Sequence, residues 1–178
     1  MIRTLVFTVV LACSALPAAA QTGGSLAGSV KAMHGMVAQN LVAAAEKMPE
    51  AEYAFKPTPD VRSFAELIGH VANANFYFCS MAKGEASPAK TNFEKATAKA
   101  DLVKGIKDAI AYCDTAYNSA TDASFAEKIK APLPVLGGDN PRGTTLIFNV
   151  AHNNEHYGNV VTYMRLKGHV PPSSEPKK

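Results

Sequence analysis

Charge of one sign never accumulates in this chain. It has 18 Lys and Arg against 15 Asp and Glu, a formal net charge of +3, and its longest basic run is the terminal Lys177-Lys178. That excludes the basic stripe of a nucleic-acid binder. After the first twenty residues no long apolar run follows, so no stable membrane insertion is expected of the mature protein. Cysteine is scarce, with three in all, and no Cys-x-x-Cys-His stands ready for covalent haem. Glu-x-x-His is missing too, which removes a di-iron carboxylate bundle. No glycine-rich phosphate loop follows a strand, since Gly137-Gly138 lies in a proline-rich loop. No serine occupies a Gly-x-Ser-x-Gly elbow. Internal repeats are also lacking.

What is present begins with a leader. Met1-Ile2-Arg3 is a short basic head, Thr4 to Ala12 is apolar but too short to span a bilayer, and Ala18-Ala19-Ala20 precedes Gln21. This is the pattern of a secretory signal peptide over residues 1–20, cleaved after Ala20. Val10-Leu11-Ala12-Cys13 makes a poor lipobox, and cleavage there would cut the apolar run short. The expected location is periplasmic or secreted. Loss of Arg3 lowers the formal charge from +3 to +2. Residues 21–178 form one domain's length and can bury a sizeable core.

The periodicity of the mature chain predicts four helices and no strand. The first runs from about Ser25 to Met48, with Leu26, Val30, Met33, Val37, Leu41, Ala44 and Met48 at spacings of three and four. The second opens at the capping box Ser63-Phe64-Ala65-Glu66 and stops at Gly84. The third spans roughly Thr97 to Ser119, and the fourth runs from Thr144 or Thr145 to Gly168, before Pro171-Pro172. The links from Glu85 to Ala96 and from Thr121 to Gly143 are long enough for crossovers, so the second and third helices are free to run parallel.

His152 and His156 lie one helical turn apart on the fourth helix and leave the same face. This is the spacing with which a helix offers two imidazoles to one ion. Taken alone, such a pair is more often a surface pair or satisfied core histidines than a pair of ligands. On a helical wheel both lie about a quarter to a third of a turn from the apolar centre, on a ridge shared with Asn149, Asn159 and Tyr163. His70 lies at the matching edge of the second helix, near Tyr77 and Met81. Side-by-side packing would bring the two edges together across a groove. Three neutral imidazoles with open positions would suit zinc, nickel or a similar borderline cation. Glu155 is most of a right angle off this ridge, a weak candidate for a catalytic base and otherwise a solvated carboxylate. Asn153 falls towards the core and is expected to be hydrogen-bonded there. His34 and His169 are expected to be non-ligands.

Two stretches carry a family likeness. One is Phe55-Lys56-Pro57 leading to Ser63-Phe64-Ala65-Glu66-Leu67-Ile68-Gly69-His70-Val71. The other is His152-Asn153-Asn154-Glu155-His156-Tyr157-Gly158-Asn159, continuing to Tyr163-Met164-Arg165 and Gly168-His169-Val170-Pro171-Pro172. In their order and spacing they resemble the DinB-like (DinB/YfiT) superfamily over nearly all of the mature chain. The resemblance implies a four-helix bundle of up-down-down-up topology. It also implies a divalent metal held by His70, His152 and His156, zinc or nickel being the leading choices. Known activities in the family include thiol-dependent transferases and isomerases and metal-dependent hydrolases, and many members have no known reaction. Export would set this chain apart, because the thiols that serve cytoplasmic members are scarce outside the cytoplasm. The expected partner is a small-molecule substrate or ligand of unknown identity, and a homodimer is compatible with the sequence. A non-catalytic metal- or ligand-binding bundle is the alternative function.

The same topology bears on the two mature cysteines. Cys79 and Cys113 each lie near the end of a helix, and two parallel helices would set them side by side. In an exported chain a disulfide between them is then plausible, and two buried thiols that pack as small hydrophobes are nearly as plausible.

Overall fold

The computed structural model describes residues 24–133 and 136–176. The leader expected over residues 1–20 and its expected cleavage site lie outside the described residues. Four long helices dominate: α1 (Leu26–Lys47), α2 (Phe64–Lys83), α3 (Lys99–Ser119) and, after a short α4 (Asp122–Ala126) and two strands, α5 (Arg142–Leu166). The capping box at the head of α2 is formed, with Ser63 Oγ accepting from the Glu66 amide and Glu66 Oε2 accepting from the Ser63 amide. Gly84, at φ 71°, ends the same helix in the left-handed conformation that an L side chain resists.

Contacts between named residues fix the topology. Phe93, in the α2–α3 link, lies against Gly69 and Gly105, both early in their helices, while Cys79 and Cys113, both late, are bonded. Thus α2 and α3 run parallel. Helix α5 runs against α2, since His70 meets His152, Asn75 meets Asn149 and Asn153, and Phe78 meets Phe148. Helix α1 runs against α3, with His34 on Asp114 and Lys99 on the Glu46 carbonyl. The bundle is therefore up-down-down-up, with α1 and α2 on a diagonal.

The core divides into two layers. One gathers Leu41, Met48, Phe64, Ile68, Leu102, Ile106, Val160 and Met164, and the other Val30, Cys79, Cys113, Tyr117, Leu146 and Val150. Of the stripe expected on the first helix, Leu26 and Met33 are exposed, and His34 is buried in the face beside them. That histidine is 1% exposed, stacked on Tyr117 at 3.9 Å and bonded to Asp114 at 3.1 Å, so a paired imidazole takes a core place.

The expectation of no strand is corrected by a hairpin of β1 (Lys128–Leu133) and β2 (Gly137–Pro141), antiparallel with Ile129 opposite Asn140. Asn140 Nδ2 donates to the carbonyls of Ala131 and Gly137 and stands in for missing ladder bonds. Ile129, Ala131 and Leu133 alternate with Lys128, Lys130 and Pro132, but the run is short and Pro132 interrupts it. Its partner Gly137-Gly138-Asp139-Asn140-Pro141 has no large apolar residue, so the segment reads as a loop. The hairpin packs where α2 ends and α5 begins. There the Arg142 amide donates to the Glu127 carbonyl, which starts α5 two residues earlier than the threonines suggested. No helix among the described residues is long and apolar enough to cross a membrane.

Candidate metal centre

His70 comes from α2, and His152 and His156 come from successive turns of α5. What sets the register between these helices is a buried amide pair one turn deeper. Asn75 Nδ2 donates to Asn153 Oδ1 and Asn153 Nδ2 donates to Asn75 Oδ1, both at 3.0 Å. Both residues are fully buried, so sliding either helix would leave unsatisfied amides in the core. Asn149 adds a third amide, donating to Asn75 Oδ1 at 3.2 Å and to Tyr117 Oη at 3.0 Å. Asn149 is therefore a core residue and does not line the groove, unlike its ridge neighbours Asn159 and Tyr163.

With that register the three histidines converge. His152 Nε2 lies 3.1 Å from His70 Nε2 and 3.1 Å from His156 Nε2, and all three candidate ligand atoms lie within 4.8 Å of one another. These separations match neighbouring ligands of one ion, which stand roughly 3 Å apart when each bond is about 2.0–2.1 Å. Hydrogen bonding alone serves the cluster badly. His152 Nε2 has one proton or one lone pair for two partners, and Nδ1 of both His152 and His156 is buried without a protein partner. A cation among the three nitrogens would use all three lone pairs, so the donor set fits a divalent metal of the zinc or nickel type.

The tautomer of His70 is set by a residue that sequence reasoning missed. His70 Nδ1–H donates to Glu94 Oε1 at 2.9 Å, and the same oxygen accepts from Arg62 Nε at 2.9 Å. A carboxylate accepts only, so the proton sits on Nδ1 and the Nε2 lone pair faces the other imidazoles. Glu94 belongs to a 3-10 turn, Phe93–Lys95, lying on α2. Asn73 anchors this turn through its amide to Asn92 Oδ1 and its carbonyl to the Phe93 amide. The available signal was Gly69 inside a helical stripe, since a Cβ there would overlap the Phe93 carbonyl.

Burial disfavours the charged form of every member. It pushes His152 down to about 3, helped by His156, His70 and Arg62. His70 and His156 are also lowered, chiefly by burial, with Arg62 and His70 respectively as the next cause. At neutral pH the site presents neutral imidazoles, the form that binds metal.

Beside the cluster opens a groove of about 790 Å³, with His156 in its wall. The loop from Lys56 to Arg62 forms one side, and Glu155, Asn159, Thr162 and Tyr163 of α5 form the other. Glu155 is exposed in this wall, next to His156 and outside the histidine cluster. The remaining histidines stand apart as expected: His34 pairs with Asp114 and His169 with Glu52 at 2.6 Å.

Residues 35–160 match the profile of the DinB superfamily. The chain belongs to that superfamily. No curated protein matches it by sequence. Among solved structures it is similar to a DinB-like protein from Bacillus cereus, at 14% identity and TM-score 0.69, covering 83% of this chain and 96% of that one. A DinB-like protein from Bacillus subtilis aligns at 20% identity and TM-score 0.64, over 84% of this chain and 99% of that one. A mycothiol-dependent maleylpyruvate isomerase aligns at 14% identity and TM-score 0.60, over 75% of this chain and 60% of that one. These likenesses establish the fold.

Proposed function

We propose that this DinB-family protein is exported and that His70, His152 and His156 hold one divalent cation, zinc or nickel, at which a small molecule is hydrolysed or transferred. The observation that carries the reading is the convergence of three Nε2 atoms around His152 at 3.1 Å, with His70 oriented by Glu94. When bound, the cation supplies Lewis acidity, polarising a substrate oxygen or acidifying a water or thiol. The protein's own part is to keep the imidazoles neutral by burial and to fix their direction through Glu94 and the Asn75–Asn153 pair. The groove beside His156 receives the small molecule, and Glu155 in its wall is the candidate to accept a proton. The isomerase among the structural neighbours makes thiol chemistry one option for such a site. Export favours hydrolysis, because low-molecular-weight thiols are scarce outside the cytoplasm. Support for export comes from the leader pattern of residues 1–20 and the buried Cys79–Cys113 disulfide, which suits an oxidising compartment.

A metal- or ligand-binding module without turnover is the second reading, favoured by the half-buried Glu94, which is already paired with Arg62 and His70 and so leaves no carboxylate hydrogen-bonded to the cluster and free to act as a base among the described residues. Metal analysis of purified wild type, His152→Ala and His156→Ala tests the site itself; unchanged metal content in both variants rejects it. A screen of esters, amides and thiol acceptors separates the two readings. Metal-dependent turnover lost in His70→Ala marks an enzyme, and metal binding without turnover marks the module. N-terminal sequencing of protein recovered from the producing cell's exterior or periplasm, expected to begin at Gln21, tests export.

A further inference from the structure

We propose that Arg62 is the substrate-recognition residue of the groove and that the site takes small-molecule carboxylates, a proposal that rests on the reading of the groove as the substrate site. Arg62 is held in an unusually complete way for a loop residue. Its backbone carbonyl accepts from Tyr163 Oη of α5 at 2.7 Å. The next residue is Ser63, locked in the capping box that starts α2. Its Nε donates to Glu94 Oε1 at 2.9 Å.

These contacts use the carbonyl and one of the guanidinium's three nitrogens. The two Nη groups have no protein partner among the described residues, and Arg62 shares the groove wall with His156. A guanidinium fixed through Nε presents its Nη pair as a fork, the geometry that meets a carboxylate with two parallel bonds. Preorganisation lowers the ordering cost that makes most exposed arginines weak recognition groups.

The other charges in the groove are Lys56, Asp60, Glu66 and Glu155. Lys56 is already engaged, 3.2 Å from Glu66, and that carboxylate also caps α2. Arg62 is thus the cation in this wall that offers a fixed, planar pair of unpartnered donors, where Lys56 offers a point charge already beside a groove carboxylate, and it stands one shared carboxylate away from His70. A carboxylate on its fork places the rest of a short substrate along the wall that holds His156.

The test is a calorimetric titration of succinate and of its neutral diamide into the protein with and without bound zinc, at fixed ionic strength, with zinc content measured alongside. Succinate is expected to bind and the diamide to bind at least tenfold more weakly. Arg62→Gln should weaken succinate at least tenfold, Arg62→Lys less, and Lys56→Gln, which removes the same charge from the same groove, less than threefold. Equal binding of the diamide, no binding of succinate, or undiminished binding by Arg62→Gln overturns the proposal. Equal losses in Lys56→Gln and Arg62→Gln also overturn it, since charge alone would then account for binding. Absence of zinc from the wild-type protein would defeat the metal reading separately, and the zinc-free titrations would still accept or reject Arg62.

Discussion

At the scale of single residues, a carboxylate from a connecting segment does as much to define the centre as the ligands. Glu94 Oε1 receives His70 Nδ1 and Arg62 Nε together, so it sets a tautomer and aims a guanidinium. Removing such an outer partner typically costs 10–100-fold in metal affinity. Glu94→Ala is therefore expected to lower zinc affinity by about tenfold or more while changing stability by less than about 1 kcal/mol, because its ion pairs are solvent-facing. Competition against a chromophoric chelator reads the first and urea unfolding the second; zinc affinity equal to wild type would show that Glu94 does not orient His70. Acid sensitivity is also set residue by residue. His34, His70, His152 and His156 all have folded values below the ordinary 6.5, each chiefly because burial opposes the charge. The unfolded chain then binds protons first as the pH falls through 6.5, so metal-free stability declines from there towards the depressed folded values. Glu52, Glu66 and Glu85 are lowered from 4.5 by hydrogen bonds, so the stability that they contribute is lost only below that value. Urea midpoints of the metal-free protein should already fall between about pH 6.5 and about pH 5, and a flat profile there would contradict the histidine burial.

At the scale of elements, the centre depends on how closely a turn can lie on a helix. Phe93 is clasped between Gly69 of α2 and Gly105 of α3, and a Cβ at Gly105 would overlap its ring. Alanine is the better helix former by about 1 kcal/mol, yet overpacking costs about 1–3 kcal/mol. Since the group overlapped at Gly69 is backbone, Gly69→Ala is expected to destabilise by about 1–2 kcal/mol and to weaken zinc binding by shifting Glu94. Gly158 on α5 has open space at its Cβ position, so Gly158→Ala should instead stabilise by up to about 1 kcal/mol and leave zinc binding unchanged. Denaturant unfolding and zinc titration of the pair decide this, and a neutral Gly69→Ala would mean that the turn is not seated on α2. The same contrast explains what was legible beforehand. Helix α2 could be read because its capping box, apolar period and terminal glycine agree locally. His152 and His156 could be placed on one face because a spacing of four residues fixes it, and His70 by its position at the matching edge of α2, so the cluster itself was legible. Glu94 could not, because it reaches His70 through tertiary contact across 24 positions. The hairpin stayed hidden because the short alternation of Ile129, Ala131 and Leu133 is cut by Pro132 and pairs with a strand, Gly137–Pro141, that has no large apolar residue and is held in part by the Asn140 side chain.

At the scale of the whole molecule, the disulfide and the buried amides divide the work of holding four helices in place. Cys79 and Cys113 are bonded with Cα atoms 5.3 Å apart, joining the parallel pair α2 and α3 near their ends, a bridge that the up-down-down-up order permits. The bridge closes a loop across 34 positions, for which chain entropy alone gives about 3–4 kcal/mol. Both sulfurs lie in fully buried residues, and Asn149 Nδ2 approaches each at 3.8 Å, so reductant reaches them only when the core opens. The ligands, however, lie on α2 and α5, and those two helices are registered by Asn75 and Asn153 rather than by the bridge. Stability and metal binding should therefore separate. The double variant Cys79→Ala with Cys113→Ala is expected to lose about 3–4 kcal/mol of unfolding free energy under non-reducing conditions. Where it remains folded, its zinc affinity should stay within about threefold of wild type, equivalent to less than 1 kcal/mol. Asn153→Ala should do the reverse in proportion: Asn75 keeps its bonds to the Val71 carbonyl and Asn149, but one of its buried amide hydrogens loses its acceptor at a cost of about 1–3 kcal/mol, and α5 is freer to slide, so zinc affinity falls with stability. Urea unfolding with parallel zinc titrations measures both quantities on each variant. A large affinity loss in the cysteine variant with none in Asn153→Ala would transfer control of the centre from the α2–α5 amides to the α2–α3 bridge.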